Sequence, residues 1–218
     1  MPVKDSRIKN SRNAGNFVNY YMNWDVQTFS AAALGIALAA CCGFRVFVPM
    51  LIAGLAGRFE LFHFSENFVW LSSMPALITL GIATVFEIAG YYIPFIDNIL
   101  DTIAAPLAAV AGTLLATSVI PIENDWMKWI TGIIAGGGSA GLIASGTGLL
   151  RLLSSKTTLG VGNNVVATGE NAAAIGGSVL SFLIPVIMAV LFILFFIWMI
   201  RKMIRRVRGN KTSVSQSH

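Results

Sequence analysis

An all-α polytopic bundle of transmembrane helices, with about five segments and bounds of four to six, is what this chain encodes. Three observations carry that expectation. Of its 218 residues, 56% are apolar and only 11% charged, against about a quarter charged in ordinary soluble domains. The mean hydropathy is +0.73, well above that of a water-soluble globule. The apolar residues also come in blocks of about 20 or more, the reach of one helical crossing. These blocks leave no room for a sizeable extramembrane domain.

Residues 1–28 read as a polar N-terminal tail. Lys4, Arg7, Lys9 and Arg12 precede an aromatic patch at Tyr20, Tyr21 and Trp24. No short apolar core with a cleavage site follows, so a removable signal peptide is not expected. Asp25 stands where a helix N-cap belongs, and a single transmembrane domain, residues 29–200, begins behind it. Its first segment, 29–57, contains Arg45 and Pro49. Residues 58–72, RFELFHFSENFVWLS, mix charge with Phe59, Phe62, Phe64, Phe68 and Trp70, the composition of a connection lying in the headgroup layer.

The second segment, 73–93, carries Glu87, and the third, 99–120, is rich in alanine and overlaps the acidic turn PFIDNILD. A short loop, PIENDWMKW, brings two interfacial tryptophans. The fourth segment, 129–153, holds the small-residue run GIIAGGGSAGLIASGTG. Residues 154–171 read as a polar connection, and the fifth segment, 172–200, has no charge at all. A basic tail, 201–218, closes the chain.

Five crossings put the termini on opposite faces, whereas basic residues at both ends favour one face for both. Of the 15 basic residues, six fall between Arg201 and Lys211, directly against the last apolar segment. This places the C-terminus in the cytoplasm and leaves the side of the N-terminus open. An even count follows if the first segment, broken by CCGFR and Pro49, is a re-entrant pair, or if residues 155–171 dip into the membrane. The halves also echo one another. Each has a Gly-rich apolar segment ended by an arginine, Arg58 or Arg151, and then an acidic residue ahead of a proline, Glu87 before Pro94 and Glu170 before Pro185. That is the pattern of a degenerate inverted repeat with a re-entrant element.

The charges inside apolar segments are the candidate site. An unpaired cation at the depth of Arg45 costs from about 2.5 to more than 10 kcal/mol, so Arg45 requires a partner, and Glu87 is the nearest in sequence order. The pair either fixes helix packing or lines a water-filled cavity where Arg45 receives an anion or Glu87 a proton. Asp97 and Asp101, four apart, share a helix face in a first turn, where the dipole favours carboxylates. The alternative for them is a cation or proton entry site. Glu170, with Asn163 and Asn164, belongs either to a solvated loop or to an ion or polar-substrate site beside unwound glycine backbone.

Gly132, Gly136, Gly137 and Gly141 have the small-residue spacing of close helix packing. The same run reads G-x-S-x-G around Ser139, the form of a hydrolase nucleophile. The only histidines are His63 and His218, so no base is at hand and no enzyme is expected. Adjacent Cys41 and Cys42 suit neither a disulfide framework nor a zinc site, and no metal or cofactor motif is present.

The order GFRVFVPML, then FEIAGYYIPFIDNILDTIAAPLAAVAGTLL, then a glycine-rich helix leading into LGVGNNVVATGEN and a proline-containing last helix resembles a family of small bacterial integral membrane proteins known as domain of unknown function 4126. The likeness covers roughly residues 27–200. It rests most on the G-x-R of the first segment, the acidic-to-I-P-x-x-D stretch from Glu87 to Asp97, and the Asn-rich stretch before Glu170. The resemblance implies a basic position in the fourth segment, where this sequence departs from the pattern with Thr147 or its neighbours, and a polytopic inner-membrane protein. It implies no substrate.

The expectation is therefore a multi-pass protein of the bacterial inner membrane. Its leading function is a small transporter or permease with Arg45, Glu87, Asp97 and Asp101 around a polar midplane cavity. The competing class is a non-catalytic structural or assembly protein whose charges form packing ion pairs. The formal charge of +5 sits largely in the C-terminal tail, so the expected partners are the bilayer and its anionic head groups rather than nucleic acid. Homo-oligomer formation through the small-residue helices stays open.

Overall fold

The structure, a computed structural model, describes residues 26–158, 161–195, 197, 198 and 201. Asp25, the rest of the N-terminal tail and the basic cluster after Arg201 lie outside the described residues. The order of elements is α1 (Val26–Cys42), α2 (Phe47–Arg58), a 3-10 turn (Glu66–Ser72), α3 (Met74–Gly90), α4 (Pro94–Val119), α5 (Asp125–Thr131), a π turn (Gly132–Gly137), α6 (Gly138–Thr158) and α7 (Val161–Leu183). A further apolar helix, α8, spans Pro185–Phe195. No strand occurs among the described residues.

The expected first segment is two helices rather than one. At its break a Cβ on Gly43 would lie 2.7 Å from the Ala140 carbonyl oxygen of α6, so only glycine allows α1 to cross there. The last amides of α1 tighten, Gly43 N–H donating to the Ala40 oxygen at 3.0 Å, and the chain restarts at Phe47. Pro49 falls in the first turn of α2, where a missing N–H costs nothing. The chain leaves α2 through Glu60, whose φ of 57° is left-handed. In the connection to α3, Phe62 stacks on Phe64 and on Phe182 at 4.5 and 5.2 Å between centroids. Phe68 and Leu71 are buried. This connection therefore supplies core as well as surface.

Helix starts follow local chemistry. Ser73 caps α3 by accepting from Ala76 N–H at 3.4 Å, and Asn124 caps α5 by accepting from Met127 N–H at 3.1 Å. Pro94 opens α4. The fourth membrane helix begins at this Asn124 cap, earlier than residue 129, and runs unbroken through the π turn from Asp125 to Ser155.

Within the polar stretch 154–171 the described residues are helical rather than loop. α6 continues to Thr158 and α7 starts at Val161, so Asn163, Asn164 and Glu170 are helical. The expected fifth segment from residue 172 is instead the second half of α7, which ends before Pro185, a residue with no N–H to continue the ladder. α8 follows the break.

α4 lies at the centre, packed against α1, the π turn and α6, while α7 covers α1, α2 and α6. Leu38, Leu71 and Leu115 are fully buried in the shared core. The α4 seam is built from small residues. Gly136 faces the Gly112 carbonyl, Gly132 and Gly137 face the hydroxyls of Thr117 and Thr113, and Gly141 faces Ala109. A methyl group on Gly136 would press on backbone, which cannot swing aside. Gly136→Ala is therefore expected to destabilise the protein by about 1–3 kcal/mol. Gly148→Ala, where a Cβ meets no atom within 4 Å, should leave stability unchanged or raised in thermal unfolding in micelles.

Outward, Ile78, Ile82, Val85 and Phe86 of α3, Phe95 and Ile99 of α4, and Ile133 and Ile134 of the π turn are all exposed. Water does not tolerate so continuous an apolar surface, and lipid does. Among the described residues, Phe95–Val119 and Asp125–Ser155 are each long and apolar enough to cross a bilayer. The 3-10 turn and α3, bent by 62°, make a third crossing if the bent pair is one span. Among the described residues the protein is all-helical, with two to three such candidate spans, the composition of a membrane protein.

Candidate functional site

The polar interior gathers where the broken first segment meets α3, α4, α6 and α7. Arg45, in the break, has a fully buried side chain. Its Nη1 donates to Glu170 Oε2 at 3.0 Å and to the Phe44 carbonyl at 3.3 Å. Its Nε donates to Asn171 Oδ1 at 2.5 Å and its Nη2 to the Ala167 carbonyl at 3.2 Å. The guanidinium is thus engaged by the Phe44 carbonyl and by acceptors of α7.

Glu87 is not the partner of Arg45. Its two carboxylate oxygens accept from the backbone amides of Val46 and Phe47 at 2.6 and 3.0 Å. These are the orphan N–H groups at the start of α2, where a helix also presents partial positive charge. A carboxylate from α3 therefore caps a helix that has no cap of its own. The reason is geometric: residue 45 points toward α7, while the amides one and two residues later point toward α3.

The second cation is Arg151, at the far end of α6 and also buried. Its Nη1 donates to Asp97 Oδ1 at 2.6 Å and to Asp101 Oδ1 at 3.0 Å. Its Nε donates to Glu170 Oε1 at 3.3 Å, and its Nη2 to Glu170 Oε2. Asp97 and Asp101 do share one face, and that face is turned onto Arg151. Glu170 Oε2 bridges both arginines. Both guanidinium carbons sit over the Tyr91 ring, at 3.8 Å for Arg45 and 4.0 Å for Arg151, a favourable cation–π placement when desolvated.

Polar side chains extend the cluster. Asn163 Nδ2 donates to Asp97 Oδ2 at 3.4 Å and to Ser155 Oγ at 3.0 Å. Its Oδ1 is buried with no hydrogen-bond partner. Asn171 Nδ2 donates to Tyr92 Oη at 3.3 Å. Asn164 does not join. Its side chain is exposed, and only its carbonyl is used, by Thr168 Oγ1 at 2.8 Å. Of the charged members, Arg45, Asp97, Arg151 and Glu170 are buried, whereas the Asp101 side chain is 25% exposed. Cys41 and Cys42 beside the break are buried.

Sequence reasoning missed Arg151, Tyr91 and the bond from Arg45 to Asn171. Arg151 carried the same signal as Arg45, a cation abutting apolar residues, yet it reads from the letters as the end of a segment. It lies one helical turn beyond Thr147 on the same helix. Nothing in the sequence distinguishes Tyr91 from its neighbour Tyr92. Ser139 Oγ donates to the Gly136 carbonyl at 3.0 Å, a bond within its own helix. Among the described residues no three His, Cys, Asp or Glu side chains converge as metal ligands, since the carboxylates of the cluster are held by arginine.

No curated protein and no solved structure matches the chain. A family model does match, over residues 32–205, which takes in every member of the arginine–carboxylate cluster. The chain belongs to the family described as Domain of unknown function (DUF4126).

Proposed function

We propose that this membrane protein is a small, non-enzymatic transporter or permease whose polar core takes up and releases one positive charge. One observation carries the reading: two guanidiniums, Arg45 and Arg151, face three carboxylates, Asp97, Asp101 and Glu170, in one connected cluster. A buried net charge is costly unless it is neutralised. The missing charge is a proton or a small cation at the Asp97–Asp101 pair. Asp101 is the member open to exchange, and the unfilled Asn163 Oδ1 beside Asp97 supports an additional donor or cation there. Exchange of one charge at an intramembrane carboxylate is the elementary act of ion-coupled transport. In this reading the protein lies in the bacterial inner membrane with its C-terminus cytoplasmic and its basic tail against anionic head groups.

The test combines infrared titration with transport. Wild-type protein in lipid should show one carboxylic acid that loses its carbonyl stretch as pH rises, and Asp101→Asn should abolish it. In proteoliposomes a pH gradient should drive currents with a subset of polar and amphiphilic solutes, and these too should vanish in Asp101→Asn. A wild type with no titrating acid and no current overturns the proposal. That result favours the structural reading, which draws support from the full engagement of Arg45 with α7. The structural reading further predicts that Arg45→Glu combined with Glu170→Arg restores folding lost in either single variant.

A further inference from the structure

A second feature adjoins the cluster. α3 and α4 pack only loosely against one another, and a crevice of about 550 Å3 lined by both helices lies beside them, within the range of small-molecule sites. Its walls are apolar: Phe47 of α2, Ala83 and Phe86 of α3, and Ile103, Ala104 and Leu107 of α4. The one ionisable carboxylate on that lining is Glu87. Tyr91 also lines the crevice and has the two arginines against its ring.

Glu87 makes no ion pair among the described residues. Its bonds to Val46 and Phe47 use one lone pair on each oxygen, and a carboxylate has about four such sites. An apolar crevice with a single carboxylate on its wall, held by two backbone amides and in no salt bridge among the described residues, is complementary to a molecule with an apolar body and one delocalised positive charge. A neutral acyl chain would fill the same walls yet make no use of the carboxylate, whereas a strongly hydrated cation would leave the apolar walls empty. We infer that the crevice between α3 and α4 binds a lipophilic monovalent cation, with Glu87 as its counter-ion. This inference rests on the transporter reading and names the substrate class for it.

The experiment is equilibrium binding of methyltriphenylphosphonium to the purified full-length protein in micelles, compared with neutral triphenylphosphine oxide. Saturable binding of the cation at one per chain is expected, with the neutral compound at least about tenfold weaker. Glu87→Gln should weaken the cation by a similar factor while leaving the neutral compound unchanged. Ala104→Phe, which fills the crevice and removes no charge, should weaken both. Thermal unfolding checks that each variant is folded. If Glu87→Gln does not fold, the cation-to-neutral ratio in wild type and the Ala104→Phe result decide the matter.

No saturable binding, or equal binding of both compounds, overturns the inference, and equal binding marks an acyl-chain groove. Undiminished binding by Ala104→Phe or by folded Glu87→Gln overturns it as well. The measurement reads binding alone, so its failure leaves the proton exchange at Asp101 standing. Binding without pH-driven current would instead remove the transport reading.

Discussion

Replacing Arg151 by alanine is expected to cost about 3–5 kcal/mol of stability, the range for breaking a buried ion pair from one side. Three carboxylates depend on this guanidinium: Asp97 and Asp101 on α4 and Glu170 on α7. Without it they are left with Arg45 alone, and repulsion acts directly across the junction of α4, α6 and α7. Arg151→Lys should recover only part of the loss. An ammonium is a single point charge and does not reproduce a fork that serves two helices at once. Chemical unfolding in micelles measures both variants, and a loss below about 1 kcal/mol for Arg151→Ala would mean that the pairs contribute no more than exposed ones.

Glu170→Ala is expected to be as damaging, again by about 3–5 kcal/mol, for the opposite reason. Glu170 Oε2 is the atom shared by both arginines, and the two guanidinium carbons lie over the same ring. Removing the carboxylate leaves Arg151 with Asp97 and Asp101 but Arg45 with neutral acceptors alone, and the two cations close together over Tyr91. Glu170→Gln should fall between wild type and alanine, because the amide oxygen still accepts from one arginine while its NH2 group faces the other. Proteolysis kinetics on the same variants should show cleavage rising first near residues 43–46, since Arg45 ties the helix break to α7 through Glu170, Asn171 and the Ala167 carbonyl. Equal protection of that break in wild type and Glu170→Ala would show that Gly43 packing alone holds it.

Much of the architecture was legible in the letters because the bilayer imposes a crude, local rule. Length and apolarity mark a helix, whereas the caps at Ser73 and Asn124 show only in the fold, and the fourth helix starts earlier than apolarity alone places it. Where the rule failed, two local signals competed. Residues 154–171 are polar and contain Gly160, Gly162 and Gly169, which reads as a loop. In the fold this stretch supplies the polar face that the two arginines need, and helical packing overrides propensity. The first segment breaks at CCGFR, where the sequence allowed for a re-entrant pair, but the contact of Gly43 with the Ala140 carbonyl is not announced by the letters.

What the sequence by itself determined was the medium and the cast: a helical membrane protein with buried charges of both signs that had to find one another. Only the tertiary structure decided the pairing. Arg45 meets Glu170 across 125 positions and passes over Glu87, which is closer in sequence. Glu87 instead satisfies the bare amides of α2. The physical reason is that desolvation dictates that a buried charge must be compensated but is indifferent to which group does it. That choice belongs to the helix crossings, set by small residues such as Gly43, Gly112 and Gly136 that let backbones come close enough to bring particular side chains together.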